Sequence, residues 1–446
     1  MPDRSLAIPR LRAAIQAAAG RADVVVAIAV TAFQVLPFAN KYAAHLFAGR
    51  YYEHDFYSFY FAVDAAFNHG TSPYSLEVVR HYERAFDTVV YPFLYPPIAL
   101  PWLFPLSLFG FNSSFLIFQA ASATSLIALV IVLQRHVVAQ IEAPAWRFIL
   151  IGALFAFEGI AATLVWAQIN IVVVLLIMLA WAWSTRQGAD RHVAFCLFAA
   201  AAIKTYPAVF LLIYLVRRRY AVVGWFALFA LANLAVALLM VPIASWSDWM
   251  TNIVPTGGYG ARPFGLFAAS SIGNQNFNGL FMRLFDASEG ARLFTTAAVL
   301  CTAALVAGAI IALRGSDDEA FYGFSYALVS PFLFLAAPLS WFHHFVFLLP
   351  ALAYMAVRVG RRSGKPGALA AQAAFLVVLA LCAYKWPAKD MESLVSPALR
   401  SVPTIAPVLL FMFVFSFAAA HAVELARAAT AAGRTARLGG ALKPAS

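Results

Sequence analysis

The chain has 446 residues, 63% of them hydrophobic, 15% aromatic and only 11% charged, a balance that excludes both a soluble globular domain and a disordered segment. Its formal net charge of +11 would suggest nucleic acid in a soluble protein. Here the basic residues gather in short links between apolar runs, as the positive-inside rule distributes them, so no nucleic-acid partner is implied.

Backbone groups in hydrocarbon must be bonded internally, and a helix of about 20 apolar residues achieves this across a bilayer. The expectation is therefore an all-α polytopic membrane protein, read as a single domain over 1–446. Spans are predicted at 23–39, 92–110, 113–133, 147–166, 168–184, 192–216, 222–242, 291–313, 319–337, 344–358, 369–385 and 404–426, about twelve in all. Arg4, Arg10, Arg12 and Arg21 precede the first run, which reads as a signal anchor because the run is long and no small-residue cleavage site follows it.

After this first run, residues 40–91 carry four Lys or Arg against six Asp or Glu and are read as the first external loop. Within it, Phe56, Tyr60, Val63 and Phe67 recur at steps of four and three, which predicts a helix with one apolar face at the membrane interface. Asp55 precedes that helix. A carboxylate at the outer membrane boundary suits a general base acting on a hydroxyl; Asp at a helix start equally suits an N-cap. Glu53, His54, Tyr60 and Asp64 are further polar candidates in the loop. Prolines at 92, 96, 97, 101 and 105 predict a bent or broken helix in the next run, and irregular backbone at membrane depth implies a cavity.

Farther along, Gln168 and Asn170 in WAQIN are uncharged groups that either contact a sugar or bridge helices. Lys204 lies in FAAAAIKTYPAVF. A cation there either faces a polar site, where it would bind an anion such as a phosphate, or snorkels to the interface. Arg217, Arg218 and Arg219 mark one cytoplasmic link, and Arg358, Arg361, Arg362 and Lys365 another; with the basic C-terminal tail they place both termini inside. The basic links 135–147 and 186–191 fit that alternation poorly.

A second external loop is read over 243–290. It contains Arg262, a candidate phosphate contact, and the amides Asn274, Gln275, Asn276 and Asn278. PLSWFHH then places His343 and His344 at the external end of a span, where hydrogen bonding to a phosphate or a sugar is expected; no second ligand cluster has metal-site spacing. Cys196, Cys301 and Cys382 lie in apolar runs and read as buried hydrophobes. Phosphate-loop, dinucleotide, nucleophile-elbow and HExxH motifs are missing.

Six segments in order resemble glycosyltransferase family 87, membrane enzymes of GT-C architecture. They are Asp55–Tyr74 (DFYSFYFAVDAAFNHGTSPY), Phe93–Leu106 (FLYPPIALPWLFPL), Trp166–Asn170 (WAQIN), Ile203–Arg219 (IKTYPAVFLLIYLVRRR), Asn274–Leu284 (NQNFNGLFMRL) and Pro338–His344 (PLSWFHH). The chain departs from the family's pattern at Ala167, often Gly, and at Phe342, often polar. The resemblance implies a catalytic Asp in the first external loop, at Asp55, and a polyprenyl-phosphate sugar donor, usually of mannose. It also implies inverting transfer to a glycolipid or glycan acceptor outside a bacterial-type inner membrane, with no cofactor and no metal. The competing reading is a transporter or lipid flippase, which would also use an intramembrane lysine and broken helices. Nothing in the sequence addresses oligomeric state.

Overall fold

A computed structural model describes residues 55–141, 144–261, 268–361, 367–387, 393–394 and 396–440, with scattered positions between 25 and 44. Every regular element among the described residues is helical. The first loop supplies α1 (Phe56–Val63) and α2 (Leu76–Phe86). The bundle continues with α3 (Phe111–His136), α4 (Pro144–Ala156), α5 (Glu158–Val165), α6 (Asn170–Ser184), α7 (Asp190–Ile203), α8 (Leu211–Val216) and α9 (Tyr220–Met240). It closes with α10 (Phe277–Leu284), α11 (Glu289–Ala312), α12 (Asp318–Ala336), α13 (Leu349–Gly360), α14 (Ala368–Ala383) and α15 (Ile405–Gly440).

Among the described residues, six helical stretches are long and apolar enough to cross a membrane: Phe111–Gln140, Tyr220–Met240, Glu289–Gly315, Asp318–Ala336, Phe342–Gly360 and Val402–Ala431. They coincide with six of the predicted spans. The 23–39 span is described only at scattered positions, and those are helical.

Two predicted spans are corrected. The 92–110 segment does not cross. It is broken into Pro97–Ala99, Leu100–Leu103 and Phe104–Leu108, because its prolines remove amide donors and crowd the preceding turn. Its two ends return to the same short helix: Tyr95 stacks on Phe59 at 5.4 Å, and Phe111, just beyond the segment, packs edge-on against Phe56 at 5.4 Å. An eight-residue helix is only about 12 Å long, so a segment with both ends upon it folds back.

The 192–216 segment is a hairpin rather than one span. Helix α7 stops at Lys204, whose backbone is extended (φ −135°, ψ 118°), and Tyr206–Phe210 and α8 lead back. Asp190, at the start of α7, pairs with Arg219, just past α8. In a continuous helix those residues would lie about 40 Å apart. The 147–166 run is also interrupted, at Phe157, which is extended between α4 and α5.

The hairpin explains the two awkward basic links. Asp190 meets Arg219, Arg361 donates to Gln140 (2.8 Å) and pairs with Glu319 (2.5 Å), and Arg217 pairs with Asp318 (2.6 Å). Residues 135–147 and 186–191 therefore share one end of the bundle with the arginine-rich links. Exposed pairs of this kind contribute at most about 1 kcal/mol each.

At the opposite end, α1 departs from expectation. All eight of its residues are buried, so it is a core helix and not an interfacial one. Phe111, Phe115 and Phe118 of α3 surround Phe56 at 5.3 to 5.4 Å, and Tyr82 of α2 stacks on Phe61 at 4.3 Å. The amphipathic element is α2, which buries Val79 and Tyr82 while Glu77, Arg80 and Arg84 face out.

Candidate active site

The site forms where the two corrected segments and the turn between α5 and α6 come together. That turn depends on Ala167, which adopts φ +49°, a left-handed conformation uncommon for a residue with a Cβ. The reversal sends Gln168 toward the first loop, where its Nε2 donates to Oδ2 of Asp55. The Asp55 backbone N–H is held by the carbonyl of Trp166 at 3.0 Å. One short turn thus fixes both the backbone and the carboxylate of Asp55.

Asp55 occupies the N-cap position of α1, yet its side chain makes no capping hydrogen bond. Of the two readings open from the sequence, the cap does not describe this geometry. Burial pushes the Asp55 carboxyl up from 3.8 to about 6, against the opposing effects of the Gln168 hydrogen bond and the Lys204 charge. A carboxylate so tuned is a better proton acceptor near neutral pH.

Lys204 is buried, 5% exposed, at the apex of the α7 hairpin, so it does not snorkel. Its Nζ lies 3.1 Å from Nε2 of His344, 5.4 Å from the centroid of the Tyr95 ring and 5.7 Å from that of Phe347. His344 Nδ1 accepts the backbone N–H of Trp341 at 3.0 Å, which places the proton of the neutral ring on Nε2. An ammonium offers only donors. Two N–H groups therefore face one space, an arrangement that an anionic oxygen satisfies.

Unpartnered atoms mark the same region. Gln168 Oε1, Asn170 Oδ1, Tyr206 Oη and His343 Nε2 are buried and make no hydrogen bond among the described residues. Buried polar groups are nearly always paired, so four such atoms around one carboxylate and one lysine describe a binding site for a polar ligand. Lys204 lies within electrostatic reach of Asp55 and His343, and Tyr95 of Asp55 and Tyr206. Tyr95 and Tyr206 were missed from the sequence. The signal was their position, each immediately before a proline in a segment that breaks.

The other predicted residues are placed elsewhere. Tyr60 donates to the Phe109 carbonyl at 3.3 Å. Asp64 accepts from Tyr82 at 2.7 Å and from Asn68 at 2.8 Å, which ties α2 to the end of α1. The loop amides are riveted to backbone. Asn274 Nδ2 reaches the Ala269 and Pro338 carbonyls (3.0 and 3.3 Å) while its Oδ1 takes the Ser340 N–H at 2.8 Å. Gln275 Oε1 accepts from Thr404 at 2.6 Å. Asn276 Oδ1 caps α10 through the Gly279 N–H at 2.8 Å, and Asn278 donates to the Pro338 carbonyl at 2.7 Å. Glu53, His54 and Arg262 lie outside the described residues.

These rivets position the histidines. The Gln275 N–H meets the Ser340 carbonyl at 2.8 Å, and the Trp341 ring covers Gly273, where an added Cβ would stand 2.1 Å from it. Thr163 and Asn170 both donate to the His343 carbonyl, at 3.0 and 3.4 Å. Gly159 lets α5 approach the backbone of Val346, where a Cβ would stand 2.7 Å from its nitrogen. Among the described residues, no three His, Cys, Asp or Glu side chains converge as metal ligands would.

Comparison with known proteins gives this cluster a context. Over 279 residues the chain is 29% identical to a polyprenol-phosphate-mannose-dependent α-(1-2)-phosphatidylinositol pentamannoside mannosyltransferase of Mycobacterium tuberculosis, covering 62% of this chain and 61% of that protein. Over 296 residues it is 33% identical to a polyprenol-phosphate-mannose-dependent α-(1-2)-phosphatidylinositol mannoside mannosyltransferase of Mycolicibacterium smegmatis, covering 61% and 63%. The chain thus spans less than two thirds of the length of these curated relatives. No solved structure matches. The sequence profile of glycosyltransferase family 87 matches residues 93–338, more than half of the chain and all of the α3–α12 bundle that carries Gln168, Asn170, Lys204 and Tyr206, and the chain therefore belongs to that family.

Proposed function

We propose that this protein is an inverting glycosyltransferase that moves mannose from a polyprenyl-phosphate donor to a hydroxyl of a membrane glycolipid. The observation that carries the reading is the meeting, within one cluster, of a partly protonatable carboxylate and a buried cation: Asp55 lies within electrostatic reach of Lys204, which contacts His344, amid four unpartnered polar atoms. Asp55 takes the proton of the acceptor hydroxyl while that oxygen attacks the anomeric carbon. The bond from that carbon to the lipid phosphate breaks on the opposite face. Lys204 and His344 receive the charge on the leaving phosphate in a region poor in water, where fixed donors count for more.

Mannose is favoured by the donor named for the relatives. The acceptor is proposed to be a phosphoinositide-type glycolipid on the same ground. The arginine-rich end of the bundle, formed by Arg217, Arg219 and Arg361, supports a cytoplasmic assignment by the positive-inside rule. Asp55 lies at the other end, which supports the proposal that transfer takes place on the external face of a bacterial-type inner membrane.

The test is reconstitution in liposomes with polyprenyl-phosphate mannose and a phosphatidylinositol mannoside. The expected result is free polyprenyl phosphate released in step with the mannosylated lipid. Movement of the donor across the bilayer with its sugar intact would instead identify a transporter.

A further inference from the structure

Tyr206 is one of the groups at the site that the proposed mechanism leaves unused. It lies two residues beyond Lys204, on the returning arm of the hairpin. Its ring packs edge-on against Phe347 at 5.1 Å, and Phe347 is the ring 5.7 Å from Lys204 Nζ. Its hydroxyl is buried and makes no hydrogen bond, while the Tyr95 phenol beside it shares the Lys204 ammonium through its ring. A phenol held by ring packing, with its O–H left over, is an unfavourable arrangement. It becomes favourable when an acceptor oxygen arrives.

We infer that Tyr206 is a third phosphate donor, its O–H hydrogen-bonding an oxygen of the lipid phosphate beside Lys204 and His344. The inference rests on the function proposed above. No proton is transferred in this contact: Asp55 keeps the proton of the acceptor, and the phosphate leaves as an anion with one more hydrogen bond than Lys204 and His344 alone provide. Because the hydroxyl has no partner among the described residues, its removal takes nothing from the fold.

The experiment compares Tyr206→Phe with wild type and with Tyr354→Phe. Tyr354 is another buried phenol whose O–H is unpartnered, but it packs on Trp181 and Phe324 and lies outside the site. Three quantities are read: kcat/KM for polyprenyl-phosphate mannose, the inhibition constant of geranyl phosphate as a product mimic, and the thermal unfolding midpoint in detergent. Loss of a hydrogen bond to a charged group predicts a fall of about 10- to 100-fold in kcat/KM for Tyr206→Phe. The inhibition constant should rise in parallel, with an unfolding midpoint equal to or above wild type. Tyr354→Phe should match wild type in both kinetic measures.

Unchanged kcat/KM and inhibition in Tyr206→Phe overturn the assignment, as does a fall in activity accompanied by a lower unfolding midpoint. If geranyl phosphate binds neither the wild type nor any variant, as read by thermal shift, the lipid-phosphate reading of the whole site fails and this assignment fails with it. Equal binding to wild type and Tyr206→Phe removes Tyr206 alone.

Discussion

Asp55→Asn separates the chemistry of the site from its architecture. The amide retains an oxygen to accept the Gln168 hydrogen bond, and the Trp166–Asp55 backbone contact is untouched. The helix loses no cap, since the Asp55 side chain provides none. What disappears is the proton acceptor, and a positioned general base is worth about 10²- to 10⁴-fold in rate. The stability change has the opposite sign. A carboxyl raised in the folded state binds its proton more tightly there than in the unfolded chain, so its ionisation disfavours folding as pH rises through the interval from 3.8 to about 6. That interval, at about 1.4 kcal/mol per pH unit, sets an upper limit of about 3 kcal/mol for the penalty at neutral pH. Asp55→Asn should therefore be nearly inactive at pH 7 while unfolding at an equal or higher temperature. The wild-type rate should fall on the acid side near pH 6 as the base protonates. Transfer assays in proteoliposomes across pH 5 to 8, paired with thermal unfolding in detergent, read both quantities. An Asp55→Asn variant that keeps wild-type turnover refutes the base; one that loses turnover by unfolding refutes the separation of the two effects.

Further outcomes follow from individual contacts. Lys204→Met removes a buried ammonium that no carboxylate among the described residues touches, so kcat/KM for the lipid-phosphate donor should fall by about 10²- to 10³-fold while the unfolding midpoint holds or rises; steady-state kinetics with thermal unfolding checks this. Gly279→Ala would set a Cβ 1.9 Å from the Asn274 carbonyl oxygen, and the forced shift should cost more than about 3 kcal/mol and loosen the rivet to Ser340. Thermal unfolding reads it directly. Ala167→Gly relieves a left-handed residue at φ +49°, a gain of about 1 kcal/mol largely offset by the flexibility of Gly in the unfolded chain; turnover and unfolding midpoint should both stay close to wild type, whereas Ala167→Val should lose both.

Much of the scaffold was legible because long apolar runs have one solution in a bilayer, and the prolines after Tyr91 announced a break. What run length could not convey was direction. In FAAAAIKTYPAVF the apolar character continues through Lys204, although the cation and the following Tyr-Pro together mark the point where the chain reverses. Amides posed a second limit. Asn274 and Asn278 present the same groups whether they meet a sugar or a carbonyl, and only the positions of Pro338 and Ser340 decide it. The apolar period of α1 predicted one buried face, and the neighbours that cover the rest come from α2, α3 and the Phe93–Tyr95 stretch, far apart in the chain. Asp55, Gln168, Asn170, Lys204 and His344 were individually readable. That they converge depends on Ala167 and the hairpin, which periodicity does not encode.

The uneven burial of the long helices also sets where this protein is free to vary. In the most apolar window of α12, 83% of residues face protein, against 11% in α9 and 22% in α11. Most of the surface of α9 and α11 is thus free to face lipid, and lipid tails do not distinguish Leu from Ile, Val or Phe by shape. Substitution among apolar residues on those helices should pass almost unnoticed, while α12, with Gly323 pressed against the Tyr354 ring, should accept very few. Across a saturation library, the tolerance map would show a permissive outer shell around an unforgiving spine. Related chains would then diverge first in the residues that touch only the membrane.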